Sequence, residues 1–210
     1  MKTSTTLGIL REVYGTKRRK GLNKLAYQHP SDVLDHVYFD LIDDMRRSAG
    51  LFRLCLLHDV IEDSDLTAEE LQSALDLDND QVECLKLLSR NVENADGSSY
   101  LDGIMANEDA LIVKLADRVA NLDDLMLWVK KSEGFEEEAL AIAHKYLEEC
   151  EYLVEQVELR YGALLDDREH FISRQIHDLN RALEKLEDLM EEYLGGSSSP
   201  TAPGLCKTIP

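Results

Sequence analysis

The densest group of potentially reactive side chains lies at residues 58–63, which have the sequence His-Asp-Val-Ile-Glu-Asp. If this stretch is helical, positions three and four apart share a face, so His58 lies over Glu62, and Asp59 lies over Glu62 and Asp63. The stretch directly follows the apolar run 51–57, and polar groups at the end of a buried helix need partners. A metal ion with a bound water would supply those partners.

Two other segments carry side chains that could complete a metal site. His29 precedes Pro30, Asp117 ends a Lys-Leu-Ala-Asp run, and Asn121 follows Asp117 by one helical turn on the same face. Two imidazoles and two carboxylates suit a borderline divalent ion such as manganese, iron, cobalt or zinc. Mixed nitrogen and oxygen ligation with open positions favours catalysis, because water bound to such an ion is a nucleophile near neutral pH.

Each of these residues also has an ordinary structural interpretation. A His-Asp dipeptide occurs by chance in many proteins, and a histidine before proline, as at His29, is more often a surface residue. Asp117 could simply pair with Arg118 or Lys114. The metal hypothesis is favoured because all the pieces occur together and in order.

Four segments of the chain match a known pattern. They are 18–21 (Arg-Arg-Lys-Gly), 29–33 (beginning His-Pro), 56–64 (Leu-Leu-His-Asp-Val-Ile-Glu-Asp-Ser) and 112–122 (Ile-Val-Lys-Leu-Ala-Asp-Arg-Val-Ala-Asn-Leu). Over roughly residues 8–155 the chain resembles the hydrolase domain of the RelA/SpoT proteins, and especially its stand-alone form, the small alarmone hydrolases. The last two segments are the most specific part of this resemblance.

The resemblance implies a metal-dependent phosphohydrolase with an HD-domain fold, and it implies roles for individual residues. Glu62 and Asp63 would orient or activate the attacking water and handle protons, because close carboxylates push their titrations apart. One manganese ion would be held by His29, His58, Asp59 and Asp117. The nucleotide would be contacted by Arg19, Lys20, Asn121 and Tyr146.

The reaction that the resemblance implies is hydrolysis of the 3'-pyrophosphate of ppGpp and pppGpp, giving GDP or GTP plus pyrophosphate. The chain departs from the family pattern at residues 25–28, at Ser89-Arg90 and at Ala120, and these departures leave the substrate open. One alternative is the same site acting on the 2'-phosphate of NADPH or on a deoxynucleotide. Another is a non-catalytic module that binds an alarmone or a partner protein.

The composition limits the classes of partner. The chain has 210 residues, of which 42 are acidic and 23 basic, so its formal charge is -19. A surface so acidic repels DNA, RNA and anionic membranes, but a small phosphorylated nucleotide remains possible where local cations or a metal reverse the field. Four cysteines without a Cys-x-x-Cys pair, and no apolar run that resembles a membrane span or a signal peptide, predict a cytoplasmic protein.

Leu, Glu, Ala and Lys are abundant and only four prolines occur, which predicts an all-α protein built as a helical bundle. A basic loop is predicted at 16–28, a helix break at Gly50, and a further loop at 91–99. Helices are predicted at 3–15, at 30–47, through His58 to about Ser64, from the capping box at 67–70, at 79–89, and from Ala110 to Trp128.

The last third of the chain predicts two long helices with acidic outer faces, at 136–160 and 166–194, with a break at Tyr161-Gly162. We expect them to pair as an antiparallel hairpin, which is a candidate contact for a homo-oligomer. The predicted organisation is therefore a phosphohydrolase domain over 1–160, a helical extension over 161–194 and a disordered tail over 195–210, rich in Gly, Ser and Pro.

Overall fold

The computed structural model describes residues 5–38, 45–90, 97–167 and 170–195, and these residues are predominantly helical and contain no β-strand. The predicted all-α class is confirmed. The helices are α1 (Thr6–Tyr14), α2 (His29–Tyr38), α3 (Met45–Leu57), α4 (Val60–Asp63), α5 (Ala68–Leu75), α6 (Asn79–Leu88), α7 (Gly97–Ala106), α8 (Glu108–Lys131), α9 (Glu137–Leu165) and α10 (Phe171–Leu194).

Helix starts follow local capping chemistry. The Thr67 side chain accepts from the backbone N–H of Glu70, and the Glu70 carboxylate accepts from the backbone N–H of Thr67, so the predicted capping box at the start of α5 is confirmed. The predicted break at Gly50 is wrong, because α3 continues through it. A glycine inside a helix costs only about 1 kcal/mol relative to alanine, and the burial of Leu51 and Leu54 outweighs that cost.

Helix α8 is the centre of the fold. Every residue from Ala110 to Leu122 is buried, and α2, α3, α6, α7, α9 and α10 all pack against this helix. The preference for a helix over a strand in this segment is confirmed. A helix covered on all sides must also bury its polar residues, so those groups require partners inside the protein.

The C-terminal helices differ in part from expectation. The predicted break at Tyr161-Gly162 is wrong, since α9 runs through both residues to Leu165. Helix α10 contacts α9 and packs still more extensively against α8. The antiparallel pairing of α9 and α10 stays a prediction, and the predicted tail beyond Gly195 lies outside the described residues.

The predicted loop at 91–99 is only partly described. Residues 91–96 lie outside the described ranges. Residues 97–99 belong to α7, so the predicted loop does not extend to residue 99. None of the helices within the described ranges is both long and apolar enough to cross a membrane. Cys55, Cys84 and Cys150 are buried free thiols.

The basic loop, residues 16–28, is held against α8 by a close contact. Gly21 has a φ of 67°, and a Cβ atom added to it would lie 2.0 Å from Cδ2 of the buried Trp128 ring. Only glycine allows this approach without displacing the ring. Backbone hydrogen bonds from Arg19 to Lys24 and from Ala26 to Lys17, both 2.8 Å, close the loop on itself.

Gly21→Ala is therefore expected to destabilise the protein more than a glycine substitution without a clash. Backbone strain costs about 1–3 kcal/mol, and overpacking against Trp128 adds about 1–3 kcal/mol. Gly15→Ala is the matched control, because Gly15 also has positive φ (50°) but its added Cβ meets nothing within 4 Å. Urea unfolding of both variants measures the difference, and equal losses would contradict a specific role for the Trp128 contact.

Candidate metal centre

His58 and Asp59 lie in a turn between α3 and α4, not inside the continuous helix expected from the sequence. Nδ1 of His58 lies 2.8 Å from the backbone carbonyl oxygen of Cys55. A ring nitrogen facing a carbonyl must carry the proton, so Nδ1–H donates, and in the neutral ring Nε2 presents its lone pair. Nε2 lies 3.0 Å from Oδ2 of Asp59 without the geometry of a hydrogen bond. This arrangement suits a nitrogen and an oxygen that share one cation.

The structure brings together all four residues that were predicted to bind metal. One ligand atom from each of His29, His58, Asp59 and Asp117 lies within 4.8 Å of the others. Nε2 of His29 lies 3.2 Å from Oδ1 of Asp117 and 3.8 Å from Oδ2 of Asp59. Three of the four residues are buried, while the Asp59 side chain is 30% exposed and marks the open side.

The electrostatic field at this cluster attracts positive charge. Burial alone would lower the pKa of His58, but the carboxylates of Asp59 and Asp117 outweigh burial and raise that pKa well above its ordinary value. The field that favours a proton on His58 also favours a metal cation. Two nitrogen and two oxygen donors with an accessible side therefore fit a borderline divalent ion.

The two oxygens of Asp117 have different partners. Oδ2 lies 3.2 Å from Nζ of Lys114 and 3.3 Å from Nη2 of Arg118, whereas Oδ1 faces His29 and accepts from Nδ2 of Asn121 at 2.5 Å. Burial would raise the pKa of Asp117, but Arg118 and Lys114 hold it well below its ordinary range. Asp117 thus pairs with its helix neighbours and also faces the histidines, so these ion pairs are compatible with a role as a metal ligand.

A second group of potential ligands, formed by His29, Asp32 and Asp124, also comes together. Nζ of Lys24 lies 2.6 Å from a carboxylate oxygen of each of the two aspartates. This ammonium group and the guanidinium of Arg19, which lies 2.9 Å from Asp124, together neutralise these two carboxylates, so the first cluster is the stronger candidate for an ion.

Glu62 and Asp63, predicted to act on the attacking water, open onto different cavities. Glu62 is exposed, accepts weakly from the backbone N–H of Arg90 at 3.4 Å and lines a cavity of about 180 Å³, named here the polar cavity. Asp63 lines a second cavity of about 300 Å³, named the basic cavity. Its carboxylate accepts from the hydroxyl of Tyr14, and burial together with the charge of Asp59 raises its pKa.

The polar cavity also contains cations that the sequence patterns did not single out. Arg90, Lys114 and Arg118 all point to the carboxylate of Glu149, with nitrogen–oxygen distances of 2.8, 3.8 and 3.2 Å. Glu149 was missed because it belongs to an acidic run that resembles a solvated face. A usable signal was its position three residues after Tyr146 and four before Leu153, on one inward face of α9.

The four predicted nucleotide contacts have different surroundings. Tyr146 lines both cavities and packs under Arg118, whose guanidinium carbon lies 5.2 Å from the ring centroid. Lys20 is exposed, lines the basic cavity and pairs with Glu138. Arg19 lines the basic cavity and Asn121 lines the polar cavity, and the two side chains are hydrogen-bonded to each other at 2.5 Å.

Comparison with models of known protein families and with curated proteins finds no match to this chain. A function therefore has to be assigned from the site itself. That site combines four converging potential ligands, the carboxylates of Glu62 and Asp63 on different cavities, and cations on the wall of the polar cavity.

Proposed function

We propose that this chain is a metal-dependent phosphohydrolase of the HD type, similar to the RelA/SpoT hydrolases, that converts ppGpp and pppGpp to GDP and GTP with release of pyrophosphate. The observation that carries the proposal is the convergence of His29, His58, Asp59 and Asp117 from three separate parts of the chain. The family resemblance gives manganese as the ion. The buried free thiols agree with the reducing cytoplasm in which we place the protein.

The charge distribution supports a phosphorylated substrate. In a chain of formal charge -19, the polar cavity beside the ligand cluster is lined by Arg90, Lys114, Arg118 and Lys145. The three carboxylates that also line this cavity, together with Glu149, balance these four cations, so a bound divalent ion would supply the net positive charge. Local cations of this kind can hold an anion that the rest of the surface repels.

The two cavities fit a nucleotide with phosphate groups at both ends. The basic cavity offers Lys17, Arg18 and Lys20 together with the apolar side chains of Leu125 and Trp128, which suits a base and a 5'-diphosphate. The polar cavity would receive the 3'-pyrophosphate beside the ligand cluster. Tyr146 lines both cavities and would lie between the two halves of the substrate.

The side chains around the cluster have distinct chemical roles in this proposal. A bound divalent ion supplies Lewis-acid stabilisation and makes water a better nucleophile near neutral pH. The exposed carboxylate of Glu62 can take a proton from water in the polar cavity. Arg90 and Lys145 stabilise the negative charge that develops on the phosphate. The raised pKa of Asp63 makes its carboxyl a better proton carrier near neutral pH than an aspartate with an ordinary pKa.

The substrate is tested by incubating the purified chain with manganese and, separately, with ppGpp, NADPH and a deoxynucleoside triphosphate. We expect pyrophosphate and GDP from ppGpp, because that substrate would place a phosphate group beside the cations of each cavity. Release of orthophosphate from NADPH, or of triphosphate from the deoxynucleotide, with ppGpp left intact, would contradict ppGpp as the substrate. The assignment as a phosphohydrolase would still stand. Tight binding of ppGpp without turnover would contradict the enzymatic function and indicate a non-catalytic alarmone-binding module.

A further inference from the structure

We infer that Arg19 is a positioning residue for the metal ligand Asp117 and that it acts through Asn121. The inference rests on the metal centre of the proposed function, but it concerns the affinity for the ion and not the substrate. It assigns Arg19 and Asn121 a role different from the nucleotide contacts that the resemblance implies.

Three side chains form a continuous path from the basic loop to the ligand cluster. Nη2 of Arg19 donates to Oδ1 of Asn121 at 2.5 Å, and Nδ2 of Asn121 donates to Oδ1 of Asp117 at 2.5 Å. Asn121 is 8% exposed and Asp117 is 4% exposed, so water does not readily replace either bond. The same oxygen of Asp117 lies 3.2 Å from Nε2 of His29 and 3.7 Å from Nε2 of His58.

The path has a fixed direction because its first member can only donate. A guanidinium group has no acceptor, so Arg19 requires the carbonyl oxygen of Asn121 to face it. The amide nitrogen of Asn121 must then face Asp117, where it holds Oδ1 toward the histidines. Without Arg19, the Asn121 amide could rotate and present its oxygen to the carboxylate, which would repel the ligand it now orients.

The alternative is that Arg19 only anchors the basic loop. A substitution of Lys24 distinguishes these two explanations. Both side chains bind Asp124, Arg19 through Nε at 2.9 Å and Lys24 through Nζ at 2.6 Å. Lys24 also pairs with Asp32, and of the two cations it is Arg19 that reaches Asn121. Removing either cation changes the charge of the loop equally, but only one removal breaks the path to Asp117.

The experiment is a calorimetric titration of manganese into the full chain without nucleotide, comparing wild type with Arg19→Met, Lys24→Met and Asn121→Ala. Loss of a partner of a metal ligand typically weakens metal binding about 10–100-fold. We expect losses in this range for Asn121→Ala and near tenfold for Arg19→Met. Lys24→Met should bind manganese as well as wild type or more tightly, because removing a nearby positive charge favours a cation.

A double variant tests whether the effect passes through Asn121. If it does, Arg19→Met adds nothing to the loss already caused by Asn121→Ala. Unchanged or tighter binding in Arg19→Met, or an equal loss in Lys24→Met, would overturn the inference. Full affinity in Asn121→Ala would also overturn it, even if Arg19→Met did not fold. Wild-type binding of manganese without hydrolysis of ppGpp would refute the proposed function and leave this inference standing.

Discussion

Replacing Asp59 by alanine should abolish tight manganese binding and lower the rate of pyrophosphate release from ppGpp at least about a hundredfold. Oδ2 of Asp59 lies 3.0 Å from Nε2 of His58 and 3.8 Å from Nε2 of His29, so the carboxylate would supply one of the four ligand atoms. Because this side chain is 30% exposed and Asp117 still faces both histidines, its removal should leave the fold intact. Loss of activity would then report the chemistry and not unfolding.

The matched control for this substitution is Asp65→Ala. Asp65 is an exposed carboxylate just beyond α4, and it does not belong to the ligand cluster. The control removes the same charge from the same region and should keep both metal content and rate. Metal content after dialysis and pyrophosphate release are measured for both variants. Near-normal activity in Asp59→Ala would exclude this residue as a ligand.

The coming together of the four potential metal ligands could be predicted from the sequence, because it depends on residue type and order. Histidines and carboxylates with this spacing are uncommon together, and the helix carrying Asp117 has a pattern too long for a strand. The local geometry was predicted less well. His58 and Asp59 were expected on a helical face, but they lie in a turn, which lets both ligand atoms face the same point.

The predicted helix boundaries were wrong at two glycines. The expected breaks at Gly50 and Gly162 rest on intrinsic propensity, which is a weak effect of about 1 kcal/mol per residue. Packing against neighbouring helices overrides it, and α3 and α9 continue without interruption. Capping residues such as Thr67 were more reliable guides, because their hydrogen bonds are made within the same turn of chain.

Partners of the site could not be predicted, because they depend on how distant helices pack. Arg19 reaches Asn121 across 102 positions of sequence, and Arg90 reaches Glu149 across 59. Tyr14 lies near the start of the chain, and its hydroxyl contacts Asp63. Residue type alone gives no reason to join these pairs, whereas the ligands were found because each has a recognisable chemical role.

Glu149→Gln is expected to lower the free energy of unfolding by about 3 kcal/mol. Removing one partner of a buried ion pair typically costs about 3–5 kcal/mol, and the lower value applies because Asp117 still faces Lys114 and Arg118. The Glu149 side chain is 11% exposed, so solvent screens it little. For a chain of this size the loss corresponds to a fall in Tm of about 6–12 °C. Glu148→Gln is the matched control, because this adjacent side chain is exposed.

The pH dependence of the difference in unfolding free energy between wild type and Glu149→Gln tests the ion-pair explanation more sharply. Burial would raise the pKa of Glu149, but Arg118, Lys114 and Arg90 outweigh burial and lower it. A lowered pKa gives stability that is fully present above the unfolded value of about 4.3 and is lost as pH falls through the folded value. The gap in unfolding free energy between wild type and Glu149→Gln should therefore be constant near neutral pH and shrink in acid. A gap that stays constant below the folded pKa would show that Glu149 contributes by packing and not by charge.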